Sequence, residues 1–262
     1  MRILVIGDIV GEAGRKTVAR YLSGVVGDRC VDLVVANGEN AAGGFGITPR
    51  IADEFFEMGI HVLTSGNHIW DKKEITEYLD QEPRLLRPAN YPPDAPGSGS
   101  VIVETRSGEK VGVLHLMGRT FMPTVDCPFR IGRMEAEKLG TETRTILVDL
   151  HAEATSEKMA IGWYLDGKVS AVVGTHTHVP TADERIFPGG TAYLTDIGMT
   201  GPRDSVIGIR KEQAIARFLT QIPQRFEMAS GPTQFCAVFV DIGPEGRAVA
   251  IERIFIKESE GL

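Results

Sequence analysis

The chain has 262 residues, 42% of them hydrophobic, with 30 glycines and a formal charge of -7. This length and apolar share predict one globular domain over 1–262 with a sizeable core, and the acidic balance excludes a binder of long nucleic acid, which needs dense Lys/Arg contacts. Cys30, Cys127 and Cys236 lack CxxC or Cys/His spacing, which excludes a disulfide framework or zinc knuckle, and no run approaches the roughly 18 apolar residues of a membrane span, so a soluble, cytoplasmic protein with reduced thiols is expected.

Apolar β-branched runs alternate with amphipathic stretches from the start. Residues 2–7 predict a strand and 15–26 a helix. A strand at 32–36 leads through a glycine-rich loop to a helix at 49–58, where Pro49 suits the first turn. Residues 61–65 predict a strand and 72–79 a helix. The stretch 80–100, rich in Pro, Asn, Asp and Gly, is a long loop. Strands at 101–105 and 110–117 flank RSGE as a hairpin. A strand at 145–150, a helix at 153–165 and a strand at 169–175 follow, and the stretch from Thr195 to Arg203 reads as a surface loop, with a cap over the cleft as the alternative. A helix at 211–219 precedes strands at 235–242 and 248–256, which close as a hairpin about GPEG. The expected fold is α/β, with mixed sheets flanked by helices and chemistry at the carboxyl ends of the strands.

Five of those strands end in polar residues. Asp8 closes LVIGD, Glu39 and Asn40 follow LVVANG, Asn67 and His68 follow VLTSG, His151 follows ILVDL, and His176 and His178 follow AVVGT. Far apart in sequence, they become neighbours if the strand ends share one edge of a sheet. Imidazole, carboxylate and amide oxygen suit first-row divalent ions, and the lack of thiolates argues against a structural zinc. Two such ions against two carboxylates leave a positive centre, for which a phosphate ester is the natural guest. If strand geometry continues past Thr175, His176 and His178 project to the same side and each faces one ion, while Thr175 and Thr177 point away and secure the loop.

Plainer readings stand beside these. Asp8 alone is turn or cap chemistry, and GNH is a good turn in which His68 merely holds a loop. HAEATSEK also looks like a helix start, which would make His151 structural. GENAAGGFG is a weak phosphate signal by itself, although its amides offer a phosphate lining. His115, inside VLHLMG, reads as a core residue or a neighbour of the ligands, and His61 has no evident partner.

The ordered series GD, GEN, GNH, an isolated His and GTHTH resembles the motifs of the calcineurin-like metallophosphoesterases and spans about two thirds of the chain. Two departures matter: the usual DxH is here Asp8-Ile9-Val10, and Glu39 stands where the bridging aspartate is usual. With these departures, GENAAGGFG and TSGNHIWDKKE resemble the YmdB-like bacterial cyclic-nucleotide phosphodiesterases. The resemblance implies a four-layer β-sandwich flanked by helices. It implies two metal ions, of iron or alternatively manganese, the first held by Asp8, Glu39, Asn40 and His178 and the second by Glu39, Asn67, His151 and His176. It implies His68 as general acid, and attack by a metal-bridged hydroxide on 2',3'-cyclic nucleotides or 3',5'-cyclic AMP to give nucleoside monophosphates. A phosphomonoesterase (a nucleotidase or phosphoprotein phosphatase) and a slow-turnover nucleotide-binding regulator are the alternatives. The exposed hairpins leave homo-oligomer formation open.

Overall fold

The computed structural model describes residues 1–105 and 107–258. Its first half comprises β1 (Arg2–Ile6), β2 (Asp8–Ile9), α1 (Gly11–Gly27), β3 (Leu33–Asn37), α2 (Pro49–Glu57), β4 (Val62–Thr64) and α3 (Ile75–Gln81). Next come β5 (Ser100–Glu104), β6 (Lys110–Met117), α4 (Pro128–Leu139), β7 (Thr145–His151), α5 (Thr155–Leu165) and β8 (Ala171–Thr175). The remainder is β9 (Arg185–Ile186), β10 (Ala192–Leu194), β11 (Met199–Pro202), α6 (Lys211–Thr220), β12 (Thr233–Ile242) and β13 (Ala248–Lys257). Among the described residues no helix is long and apolar enough to cross a membrane.

The strands form two sheets, one ordered β2-β11-β12-β1-β3-β4 with β13 added beside β12, the other ordered β5-β6-β7-β8-β10-β9. β1, β3 and β4 are parallel, as are β6, β7, β8 and β10. Parallel strands bring all their carboxyl ends to one edge. Alternation along each strand then fixes the layers. Ile3 and Val5 of β1 meet Val113, Leu147 and Val173 between the sheets, while Leu4 and Ile6 face Val18, Leu22, Ile51 and Phe55 of α1 and α2. On the far side Leu116, Val148 and Leu150 pack against Leu139, Ile161 and Leu165 of α4 and α5. The result is the expected helix–sheet–sheet–helix stack, each fully buried aliphatic side chain contributing roughly 1.5–3 kcal/mol.

Several boundaries differ from expectation for physical reasons. α4 has no strong sequence signature because its buried stripe, Pro128, Gly132, Ala136 and Leu139, is mostly small; a Cβ on Gly132 would lie 2.8 Å from Leu116. The stretch from Thr195 to Arg203 is not a surface loop: Thr195 to Pro202 is buried, and Met199–Pro202 pairs with β12 and β2. α1 begins at Gly11 rather than at residue 15, and α3 at Ile75 rather than at 72. The 80–100 loop is ordered by Arg87, whose buried guanidinium donates to the carbonyls of Pro88, Ala95 and Pro96. β5 and β6 pair as the predicted hairpin, although Arg106 at its turn lies outside the described residues, as do 259–262.

Candidate metal centre

The sheet edge collects every polar residue singled out above except His115 and His61. Asp8 follows a close approach of two backbones, since a Cβ on Gly7 would lie 1.9 Å from the Gly198 carbonyl oxygen. Asp8, Glu39, Asn40 and His151 are buried. His151 is the last residue of β7, so the helix-start reading does not hold for it, and α5 begins at Thr155.

Around His151 the contacts are tight. Its Nε2 lies 3.1 Å from Glu39 Oε1, 3.1 Å from Asn67 Oδ1 and 3.0 Å from His176 Nδ1. The single hydroxyl proton of Thr175 is donated to Asp149 at 2.8 Å, so Thr175 Oγ1, 3.0 Å from His151 Nδ1, accepts from that nitrogen. His176 Nε2 likewise donates to Glu153 at 3.1 Å. Both rings therefore turn a lone pair toward one point, where two oxygens also converge. Four acceptors facing one another repel unless a positive charge stands between them. The same crowding is felt in the His151 pKa, which burial lowers but the neighbouring Glu39 carboxylate raises, for a net upward shift. The same partnership, against burial, holds the Glu39 carboxyl below the usual carboxylate range, while burial and then the His151 charge push His176 down to about 3. Among the described residues, Glu39, His151 and His176 offer ligand atoms within 4.8 Å of one another. Gly66 leaves the space, for a Cβ there would lie 2.2 Å from Glu39 Oε2 and 2.4 Å from His151 Nε2.

The second group is looser. Asp8 Oδ2 accepts from the His176 backbone N–H, but Oδ1 is buried without any hydrogen-bond partner, 3.9 Å from His178 Nε2. Burial pushes its carboxyl up to about 6. His178 Nδ1 donates to the Ile207 carbonyl at 2.9 Å, which leaves Nε2 as a lone pair, 3.1 Å from the Asn40 amide. That amide also lies 3.2 Å from Glu39 Oε1, and turning it over presents its oxygen to the same point. An orphaned carboxylate oxygen, an imidazole lone pair and an amide form a donor set that fits a divalent cation.

Strand geometry does not continue into the histidine loop as expected. His176 and His178 have φ of 95° and 64°, left-handed values that cost non-glycine residues about 1–3 kcal/mol, and they reach the two groups separately. The loop is held by residues that the sequence reading passed over. Lys158 Nζ donates to the Thr175 carbonyl at 2.7 Å and to Asp196 at 2.6 Å. Asp196 in turn accepts from Thr177 N, Thr177 Oγ1 and Gly198 N. Thr175 and Thr177 thus secure the loop as expected.

His68 stands beside the ligands. Its backbone N–H binds Glu39 Oε2 at 3.2 Å and its ring Nδ1 lies 2.9 Å from Asp71, with Phe45 edge-on at 5.1 Å. His115 is buried behind His151 at 6.3 Å, and His61 accepts from Val34 N. In the GENAAGGFG loop the amides of Ala41, Ala42 and Gly44 are bonded within the loop itself, so they do not line a phosphate pocket.

This stack with its ligand-bearing edge is that of the calcineurin-like metallophosphoesterases, a fold that implies divalent metals. A model of the YmdB-like protein family matches residues 4–254, and the chain belongs to that family. It is 48% identical over 263 residues to the 2',3'-cyclic-nucleotide 2'-phosphodiesterase of Bacillus subtilis, covering 98% of each chain. A solved structure of a hypothetical protein from Thermus thermophilus matches with TM-score 0.92 and 45% identity over 99% of this chain and all of that one. A phosphatase from Mycoplasma pneumoniae matches with TM-score 0.93 and 33% identity over 99% and 94%.

Proposed function

We propose that the protein is a metal-dependent phosphodiesterase that opens small cyclic nucleotides, 2',3'-cyclic ones first and 3',5'-cyclic AMP as a second candidate, to nucleoside monophosphates. The observation that carries the reading is the convergence of acceptor atoms from five strand ends with one buried carboxylate oxygen left unpaired. The relationship to the B. subtilis cyclic-nucleotide phosphodiesterase supports the substrate class. One catalytic domain carries the activity, and its unpaired cysteines suit a reducing cytoplasm.

Two cations fit the donors present. Asp8, Glu39, Asn40 and His178 would hold the first, and Glu39, Asn67, His151 and His176 the second, with iron the expected metal and manganese the alternative. When bound, they supply Lewis acidity for the phosphate oxygens and acidify water near neutral pH. Glu39 would serve both positions, a role supported by its Oε1 lying 3.1 Å from His151 Nε2 and 3.2 Å from the Asn40 amide. Asp71 accepts from His68 Nδ1–H and fixes the ring. Protonated at both nitrogens, the ring would give up its Nε2 proton to the departing sugar oxygen and be left as the neutral Nδ1–H tautomer.

The test is turnover of 2',3'-cyclic AMP, 3',5'-cyclic AMP and AMP by metal-loaded protein. Ring opening to AMP without release of inorganic phosphate is expected. Release of phosphate from AMP with no ring opening would replace this reading by a phosphomonoesterase.

A further inference from the structure

Asp149 is fully buried between the two sheets, two residues before His151, and the mechanism above gives it no role. Arginine and lysine are absent from its side chain's hydrogen-bond partners, which are Thr64 Oγ1, Thr175 Oγ1 at 2.8 Å and Asn37 Nδ2 at 3.3 Å; His115 Nδ1 lies 3.7 Å from its Oδ2 and donates instead to its backbone carbonyl at 3.2 Å. A buried carboxylate costs several kcal/mol that well-packed apolar side chains would not. Each partner, however, belongs to a strand that delivers a metal ligand. Asn37 ends β3, and its Oδ1 accepts from the backbone N–H of Glu39 at 3.1 Å. Its amide also donates to the Ser65 carbonyl at 2.6 Å, just ahead of Asn67. Thr64 ends β4, and Thr175 ends β8 immediately before His176.

We propose that Asp149 is a positioning residue for the metal centre: it orients the Thr175 hydroxyl so that His151 keeps its proton on Nδ1 and offers Nε2 as a ligand. The direction of the relay follows from the carboxylate, which can only accept. Thr175 must donate to it, and must then accept from His151 at 3.0 Å. An amide in the same place reverses the chain. With its oxygen kept for Thr64 and Asn37, its NH2 donates to Thr175, whose hydroxyl proton turns to His151 Nδ1 and drives the ring proton onto Nε2, where it blocks ligation.

The inference rests on the metal-centre reading, so two readouts are needed. The first is the nitrogen-15 NMR spectrum of His151 in the metal-free protein at alkaline pH. The wild type and Thr175→Ser should show Nδ1 protonated and Nε2 bare, and Asp149→Asn, nearly isosteric, should show the reverse. The second is Mn²⁺ titration of the stripped proteins. Asp149→Asn and Thr175→Val should bind one of two ions about 10- to 100-fold more weakly, Thr175→Ser should stay within a few-fold of wild type, and the metal-free melting temperature should track neither change. Nε2–H in the wild type, or Asp149→Asn with unchanged tautomer and affinity, overturns the proposal. A wild type that takes up no Mn²⁺ instead sinks the metal-centre reading, while the tautomer still decides the relay.

Discussion

The two ligand groups at the sheet edge are packed to different degrees. Each has one strand residue, His151 in β7 and Asp8 in β2, with its other members in turns and loops; around His151, Nε2 is 3.0–3.1 Å from three other ligand atoms, and Gly66 leaves room for them. The group around Asp8 is looser. Asn40 lies in a turn, His178 stands three residues beyond β8 and is steered by the Ile207 carbonyl, and the Asp8–His178 distance is 3.9 Å. A site whose donor atoms already converge loses little freedom when it binds, whereas a more widely spaced one must still close. The His151 position is therefore expected to fill first, and the Asp8 position to be the exchangeable one.

The harshest way to break that distinction is to remove what both groups share. Glu39→Gln should empty both positions and cost about 10⁴-fold or more in turnover, as expected when several kcal/mol of charge stabilisation are lost; a variant that retains both metals by elemental analysis refutes the bridging role. His68→Ala comes next. Elemental analysis should find its metals at wild-type level while kcat falls about 10²- to 10⁴-fold, the range of a general acid. Protons sharpen the comparison further. Asp8 is pushed up to about 6 in the metal-free fold, above its ordinary 3.8, so its ionisation opposes folding as pH rises through that window, and a cation that binds it must expel a proton below about pH 6. The pKa of His151 is also raised, by Glu39 beside it, so a cation in the other group competes with a proton there. Affinity at the Asp8 position should accordingly weaken about tenfold for each unit of pH below about 6, and at the His151 position it should begin to weaken above the ordinary imidazole value of 6.5. Calorimetry in buffers of different ionisation enthalpy measures that release, and affinity independent of pH would contradict it.

How much of this could be read in the sequence follows the same division. Strands ending in ligands were legible because apolar runs such as LVVAN and ILVDL punctuate the chain and their polar ends stand out. What steadies the loops was not. Lys158 looks like an ordinary solvent-facing helix lysine until α5 is packed on β8. Asp196 sits in a glycine-punctuated stretch whose strands, at three and four residues, are too short for a period-2 signal. Asp149 was visible as a charge inside ILVDL, but its three partners come from strands whose juxtaposition only the two-sheet packing creates. The even spacing of His176 and His178 misled because left-handed φ values are not encoded by residue spacing, and only a small share of non-glycine residues adopt them.

The mildest expected effect on turnover tests whether the histidine loop acts as one body. Lys158→Met removes the cation of a fully buried ion pair while preserving most of the side-chain volume. The charge of Asp196 is then left with three hydrogen-bond donors, so the loss should reach only the lower end of the roughly 3–5 kcal/mol typical of a broken buried pair. At roughly 2–4 °C per kcal/mol for a chain of this size, the melting temperature should fall by about 6–12 °C. His176 keeps two further ties, its backbone N–H to Asp8 and its Nε2 to Glu153, whereas His178 depends on the loop and on the Ile207 carbonyl. Mn²⁺ titration of this variant should therefore show weakening at the Asp8 position alone, with turnover at saturating metal reduced less than tenfold. Equal weakening of both ions would mean that the loop moves as a unit and that the two groups differ in shape but not in rigidity.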